Sequence, residues 1–181
     1  YNALSLATGS SNTAVGSASL DILSSGAQCT AVGTNALTAQ TTASDATAVG
    51  FNALAANTAA NNTAVGSGSL KLNTSGTLNT ALGFNTLAAI LTGIGNTAIG
   101  YNALALATGA SNTAVGSAAL SNNTTGNANV AVGNSGDTGT GALAMNTSGS
   151  HNTAVGESTL HSNITGNNNT ALESKWKIVV K

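Results

Sequence analysis

The side chains that carry chemistry in most proteins are scarce in this sequence and do not converge. His151 and His161 occupy different positions of one stretch, with no Cys, Asp or Glu at ligand spacing, whereas a metal ion needs several donors brought together. Cys29 stands alone where the surrounding pattern has Asn, and a thiol with no base beside it is a poor nucleophile. No carboxylate pair, Ser-His-Asp set or phosphate loop appears. With 22 glycines in the chain, G-x-x-x-x-G spacings arise by chance. The sequence therefore predicts no catalytic residue, no metal site and no cofactor; this is not the pattern of an enzyme.

What recurs instead is structure. The stretch SNTAVGSASL at 11–20 returns as NNTAVGSGSL at 61–70 and as SNTAVGSAAL at 111–120. A repeat of this kind marks one small unit copied and stacked. The glycine closing each TAVG-like segment falls at 16, 33, 50, 66, 83, 100, 116 and 133, then at 156 after one longer step, and Glu173 takes the next position. Steps are 16 or 17 residues except that single step of 23. A second glycine lies seven residues before the first in most units (Gly9, Gly26, Gly76, Gly93, Gly109, Gly126, Gly149, Gly166), with Ala43 and Ala59 as exceptions.

N-T-A-V-G reads as a short strand, with Thr and Val on one face and Asn, Ala and Gly on the other. The x-N-A-L segment reads as a second short extended piece, and T-T-G-N as a turn that uses glycine for a positive φ. No apolar stripe of helical period is present. The expected fold is all-β: a parallel β-solenoid or β-roll of about ten coils of 16–17 residues. Stacking then aligns two aliphatic columns as the expected core. One is Val15, Val32, Val49, Val65, Leu82, Ile99, Val115, Val132 and Val155; the other is Leu20, Leu37, Leu54, Leu70, Leu87, Leu104 and Leu120.

Composition narrows the function. Only nine of 181 residues are charged, and five of those lie after residue 156; an ordinary soluble domain is about a quarter charged. With no arginine and no basic run there is nothing to neutralise phosphates, which argues against nucleic acid. No apolar stretch approaches the roughly 20 residues of a membrane span, so no membrane insertion is expected. Two large aliphatics per coil are a thin core for ordering some seventeen residues, and self-association, as a side-by-side homotrimer, would supply what a single roll lacks.

Runs such as GYNALALATGASNTAVGSAAL at 100–120 and GSHNTAVGESTLHSNITGNNNTAL at 149–172 resemble the repeat shafts of phage tail-fibre and tail-spike proteins, of the type followed by an endosialidase-like intramolecular chaperone. More distantly, NTAVG is similar to the head repeats of YadA-like trimeric adhesins, which are left-handed parallel β-rolls. The likeness covers the chain to about residue 172. It implies an extracellular or virion-surface location, trimerisation, and attachment to a cell-surface receptor or glycan. No chaperone-like segment falls within these 181 residues, and the period is longer than the adhesin repeat.

The expected domains are a repeat array over 1–172, with a loop insertion at 134–139, and a C-terminal capping or subunit-joining strand over 173–181, where Trp176, Ile178 and Val180 are the joining candidates. The start at Tyr1, without a polar cap, suggests a segment of a longer array. Tyr1, Phe51, Phe84 and Tyr101 all follow a coil-closing glycine; corner packing accounts for them, and a sugar-stacking stripe is the functional alternative. The function expected is a stiff structural shaft presenting a receptor-binding tip. Two alternatives stay open: an end-to-end extracellular filament, and an ice-binding solenoid using the column Thr13, Thr30, Thr47, Thr63, Thr80, Thr97 and Thr113. Against the latter, alternation puts Thr on the same side as the supposed core Val, and the repeated strand motif T-A-V lacks the paired T-x-T expected of a broad ice face.

Overall fold

The structure, a computed structural model, describes residues 3–135 and 140–172. Each coil contributes one three-residue strand: β1 (Thr13–Val15), β2 (Thr30–Val32), β3 (Thr47–Val49), β4 (Thr63–Val65), β5 (Thr80–Leu82), β6 (Thr97–Ile99), β7 (Thr113–Val115), β8 (Val130–Val132), β9 (Thr153–Val155) and β10 (Thr170–Leu172). They form one parallel ten-stranded sheet in sequence order. Its register sets Thr on Thr, Ala on Ala and Val on Val, as in Thr47↔Thr63, Ala48↔Ala64 and Val49↔Val65. Nine steps of about 4.8 Å make this a β-solenoid roughly 43 Å tall. The long step between β8 and β9 leaves the register intact, Val130 pairing with Thr153. Of the insertion loop expected at 134–139, residues 136–139 lie outside the described residues, as does the expected strand at 173–181.

The strand does alternate, but its interior side is the opposite of the expected one. Ala31, Ala48, Ala64, Ala81, Ala98, Ala114, Ala131 and Ala154 are fully buried. The Val column points out: Val15, Leu82, Ile99 and Val155 are exposed, while Val32, Val49, Val65, Val115 and Val132 are half-buried. The reason is space. A coil of 16–17 residues closes so tightly that the sheet wall admits only a methyl group, because the Leu column from the far wall already fills the middle. Leu20, Leu37, Leu54, Leu70, Leu87, Leu104 and Leu120 are all fully buried, as the repeat predicted.

The x-N-A-L segment is a turn rather than a second strand. Its leucines sit in the left-handed region, with φ of 52° at Leu37, 51° at Leu54 and 50° at Leu104, and Asn52 and Asn102 join them at 56° and 52°. A left-handed leucine costs about 1–2 kcal/mol. Full burial of the same side chain contributes about 1.5–3 kcal/mol, so the wide bend that aims Leu inward is offset by the leucine itself.

The turn glycine also has a different reason from the expected one. Gly26, Gly76, Gly93 and Gly109 do not adopt positive φ; a Cβ at Gly109 would instead run into the carbonyl of Gly126 in the next coil. Coils stack so closely there that nothing larger than the methyl of Ala43 or Ala59 occupies the position.

Those crowded carbonyls are satisfied by the Asn that precedes Thr in each strand. Asn96 Nδ2 donates to the Gly109 carbonyl at 3.0 Å, and its Oδ1 accepts the Asn112 N–H at 3.0 Å. The same pattern links Asn62, Asn79, Asn112, Asn129, Asn152 and Asn169 along the rod. It is interrupted at Cys29 and Ala46, which have no amide to offer. The core is therefore largely Leu, Ala and Asn, and this Asn ladder pairs its buried amides as the interior demands.

Candidate interaction face

The outer side of the sheet carries two straight columns. One is Thr13, Thr30, Thr47, Thr63, Thr80, Thr97, Thr113, Val130, Thr153 and Thr170; the other runs from Val15 to Leu172 through Leu82 and Ile99. No strand residue is charged. Within the stack, Leu82, Val155 and Ile99 expose 47%, 38% and 37% of their surface. Single exposed aliphatics are ordinary, but a continuous uncharged column is the signature of a surface made to be covered. Sequence reasoning had placed this column in the core, so its availability at the surface went unseen.

A third column borders the face, one residue past the coil-closing glycine. Thr34, Phe51, Ser67, Phe84, Tyr101 and Ser117 occupy successive coils there. Backbone bonds fix this order: the N–H groups of Gly68, Asn85 and Asn102 donate to the carbonyls of Phe51, Ser67 and Phe84 at 2.9, 3.1 and 3.0 Å. Phe84 and Tyr101 stack, with centroids 5.8 Å apart and rings within 7° of parallel. All three described aromatics are about half exposed, so they are not corner packing of the buried kind. Tyr1 lies outside the described residues, as do Trp176, Ile178 and Val180.

A second apolar stripe, absent from the sequence reading, runs along another side of the coil: Leu6, Ile22, Leu72, Leu106 and Met145 are all exposed. The signal was present as L-x-L or L-x-I pairs, for example Leu4 and Leu6, Leu70 and Leu72, Leu104 and Leu106. A further interior column also escaped notice. Gln40, Asn57 and Asn73 are buried and bonded in series, Asn57 Nδ2 to Gln40 Oε1 at 2.8 Å and Asn73 Nδ2 to Asn57 Oδ1 at 2.6 Å. The series ends at Ile90, the next residue of that column, and Asn73 Oδ1 is left without a partner.

The residues first considered for chemistry remain apart. Cys29 is buried, its Sγ 3.5 Å from the Ala27 carbonyl oxygen and 3.6 Å from that of Ala43. Burial pushes its thiol pKa up, against the lowering effect of a backbone hydrogen bond at Ala46, so the reactive thiolate is disfavoured. His151 is exposed, and His161 Nδ1 lies 3.1 Å from the Ser158 carbonyl oxygen. Among the described residues no group of three His, Cys, Asp or Glu is placed to hold a metal ion, and no helix is long and apolar enough to cross a membrane.

No protein-family model matches this chain, and no curated protein and no solved structure matches it either.

Proposed function

We propose that this chain is a structural shaft, built from copies standing side by side with their Thr-x-Val faces turned toward a common axis. One observation carries the reading: an uncharged aliphatic column, one residue per coil, runs unbroken along the outside of the sheet. Copies related by rotation about an axis along the rod meet layer on layer. Val65 of one copy lies at the height of Val65 of the next, so every step matches, including the irregular one between β8 and β9. A closed ring of this kind uses one surface repeatedly and leaves no open end sideways.

The count of three follows the fibres that the repeats resemble. Such a rod is stiff because each coil is bonded to its neighbours through the sheet, the Asn ladder and the turns. Its role is to hold a receptor-binding tip away from a virion or cell surface. Catalysis plays no part in this reading.

The outward Thr column supports a second reading. One of the two objections to ice binding was that Thr would share the interior with Val; both in fact face solvent, at one strand spacing along the rod, although no strand offers more than one Thr. Flat, uncharged Thr arrays suit ordered water, but only if the face stays free.

Native mass by light scattering separates the two. A species of three chain masses, reduced to one by Leu82→Lys, supports the shaft. A monomer at high concentration overturns it, and growth of faceted ice crystals in its solution would then favour the second reading. Long filaments in electron micrographs, with no discrete trimer, would favour end-to-end assembly instead.

A further inference from the structure

The aromatic column has a gap of one coil. Phe51 and Phe84 lie two rungs apart, and the coil between them carries Ser67 followed by Gly68. Phe84 and Tyr101 show what one rung does to adjacent rings: it leaves them stacked and nearly parallel. Two rungs set Phe51 and Phe84 about 9.6 Å apart. A flat ring needs about 3.5–4.0 Å on each side and would sit loosely in that opening. A puckered pyranose, with C–H bonds projecting from both faces, is thicker and fills it.

The rim has the matching polarity. Ser67, half-buried in the column between the two rings, carries a hydroxyl. Asn85 leans over Gly68, close enough that a Cβ at Gly68 would strike its Oδ1; the missing side chain is what lets the amide in. The Asn85 and Asn102 side chains are half-buried and make no hydrogen bond within the described residues. Asn85 also lines the neighbouring shallow groove with Lys71, Ala88, Asn102 and Leu106, which leaves room for further sugar units. Between residues 46 and 134 the only charged side chain is Lys71; it lines the groove, and the gap between Phe51 and Phe84 has no charged residue of its own to select a charged ligand.

We propose that the gap over Ser67 and Gly68, between the rings of Phe51 and Phe84, is a binding slot for one neutral pyranose ring of a glycan. Aromatic faces take the C–H faces of the sugar, and the Ser67 hydroxyl and Asn85 amide take the hydroxyls at its edge. Such a site lies on the side of the rod and works with any tip. It rests on the aromatic column beside the Thr-x-Val face and not on that face itself, so its test is separate from the mass measurement.

The test is saturation-transfer NMR on the native protein with the methyl pyranosides of glucose, galactose, mannose and N-acetylglucosamine, and with benzyl alcohol as a flat-ring probe. At least one pyranoside should receive saturation at its ring C–H groups. Ser67→Phe completes the aromatic column and should cut that signal about tenfold, as loss of both ring contacts implies. Thr34→Phe, in the same column but outside the slot, should leave it unchanged. Phe84→Ala, with its fold checked by circular dichroism, should match Ser67→Phe. The proposal is overturned if no pyranoside is saturated, if Ser67→Phe binds as well as the native chain, or if benzyl alcohol alone binds.

Discussion

The two sides of the same three-residue strand obey different rules. On the inner side every one of the ten strands has Ala, from Ala14 to Ala171. On the outer side the last position changes between Val, Leu and Ile, as at Val65, Leu82 and Ile99. The inner position is fixed by volume, since one methyl is all that the narrow coil admits. The outer position is fixed by character alone: aliphatic and uncharged, of no particular shape. A wall that must fit inside the coil tolerates nothing larger than a methyl, whereas the outward wall tolerates any aliphatic, as the proposed layer-by-layer contact between copies requires.

Three substitutions test that contrast, from the largest expected effect to the smallest. Asn96→Leu strikes the inner side hardest. It orphans the Asn112 N–H and the Gly109 carbonyl, at about 1–3 kcal/mol each, and a denaturant melt should show a loss of about 2–6 kcal/mol. Ala98→Val adds two methyls to a fully buried site between Ala81 and Ala114; overpacking should cost about 1–3 kcal/mol. Ile99→Val, its outward neighbour, should cost under about 0.5 kcal/mol in a monomer. If these two alter stability equally, the inside-outside distinction is lost.

Cys29→Asn works in the other direction. It restores one amide to the interrupted ladder, within reach of the Ala43 carbonyl that Sγ now faces, and should add about 1 kcal/mol. The last effect is one of pH. The folded thiol of Cys29 titrates above its ordinary value of 9.0 because it is buried, so the unfolded chain loses its proton first. Its contribution is complete below that value and declines as pH rises through the folded pKa. A thermal melt series above pH 9 should show a decline that Cys29→Ala removes.

The period, the coil and the Leu column were legible because each rests on spacing alone, and Leu54 or Leu104 has no alternative place to go. The choice of inner face was not. Alternation in T-A-V defines two faces without saying which is enclosed, and the larger side chain is the natural choice for a core. The unvarying Ala was the available signal: a position that accepts only one residue in ten copies is constrained by size. The turn geometry was hidden for a different reason. Nothing in N-A-L announces a left-handed leucine, since local preference opposes it and only the burial of Leu37 or Leu87 makes it favourable. Of the candidate face, Thr and Val were recognised as one side of a strand, and the Phe51, Phe84 and Tyr101 column as a stripe. The gap at Ser67 had meaning only once Phe84 and Tyr101 were seen to stack.

The outward aliphatic column as a contact between copies is the central claim, and oxidative cross-linking tests it most directly. In a Cys29→Asn background, Val65→Cys places one thiol on the proposed axis, and Thr74→Cys places one on an exposed turn of the following coil. The account predicts that Val65→Cys chains join in pairs under mild oxidation and resist alkylation in the native state, while Thr74→Cys chains stay single. If Val65→Cys is alkylated freely and fails to cross-link, the face is open to solvent and the shaft assembly is wrong.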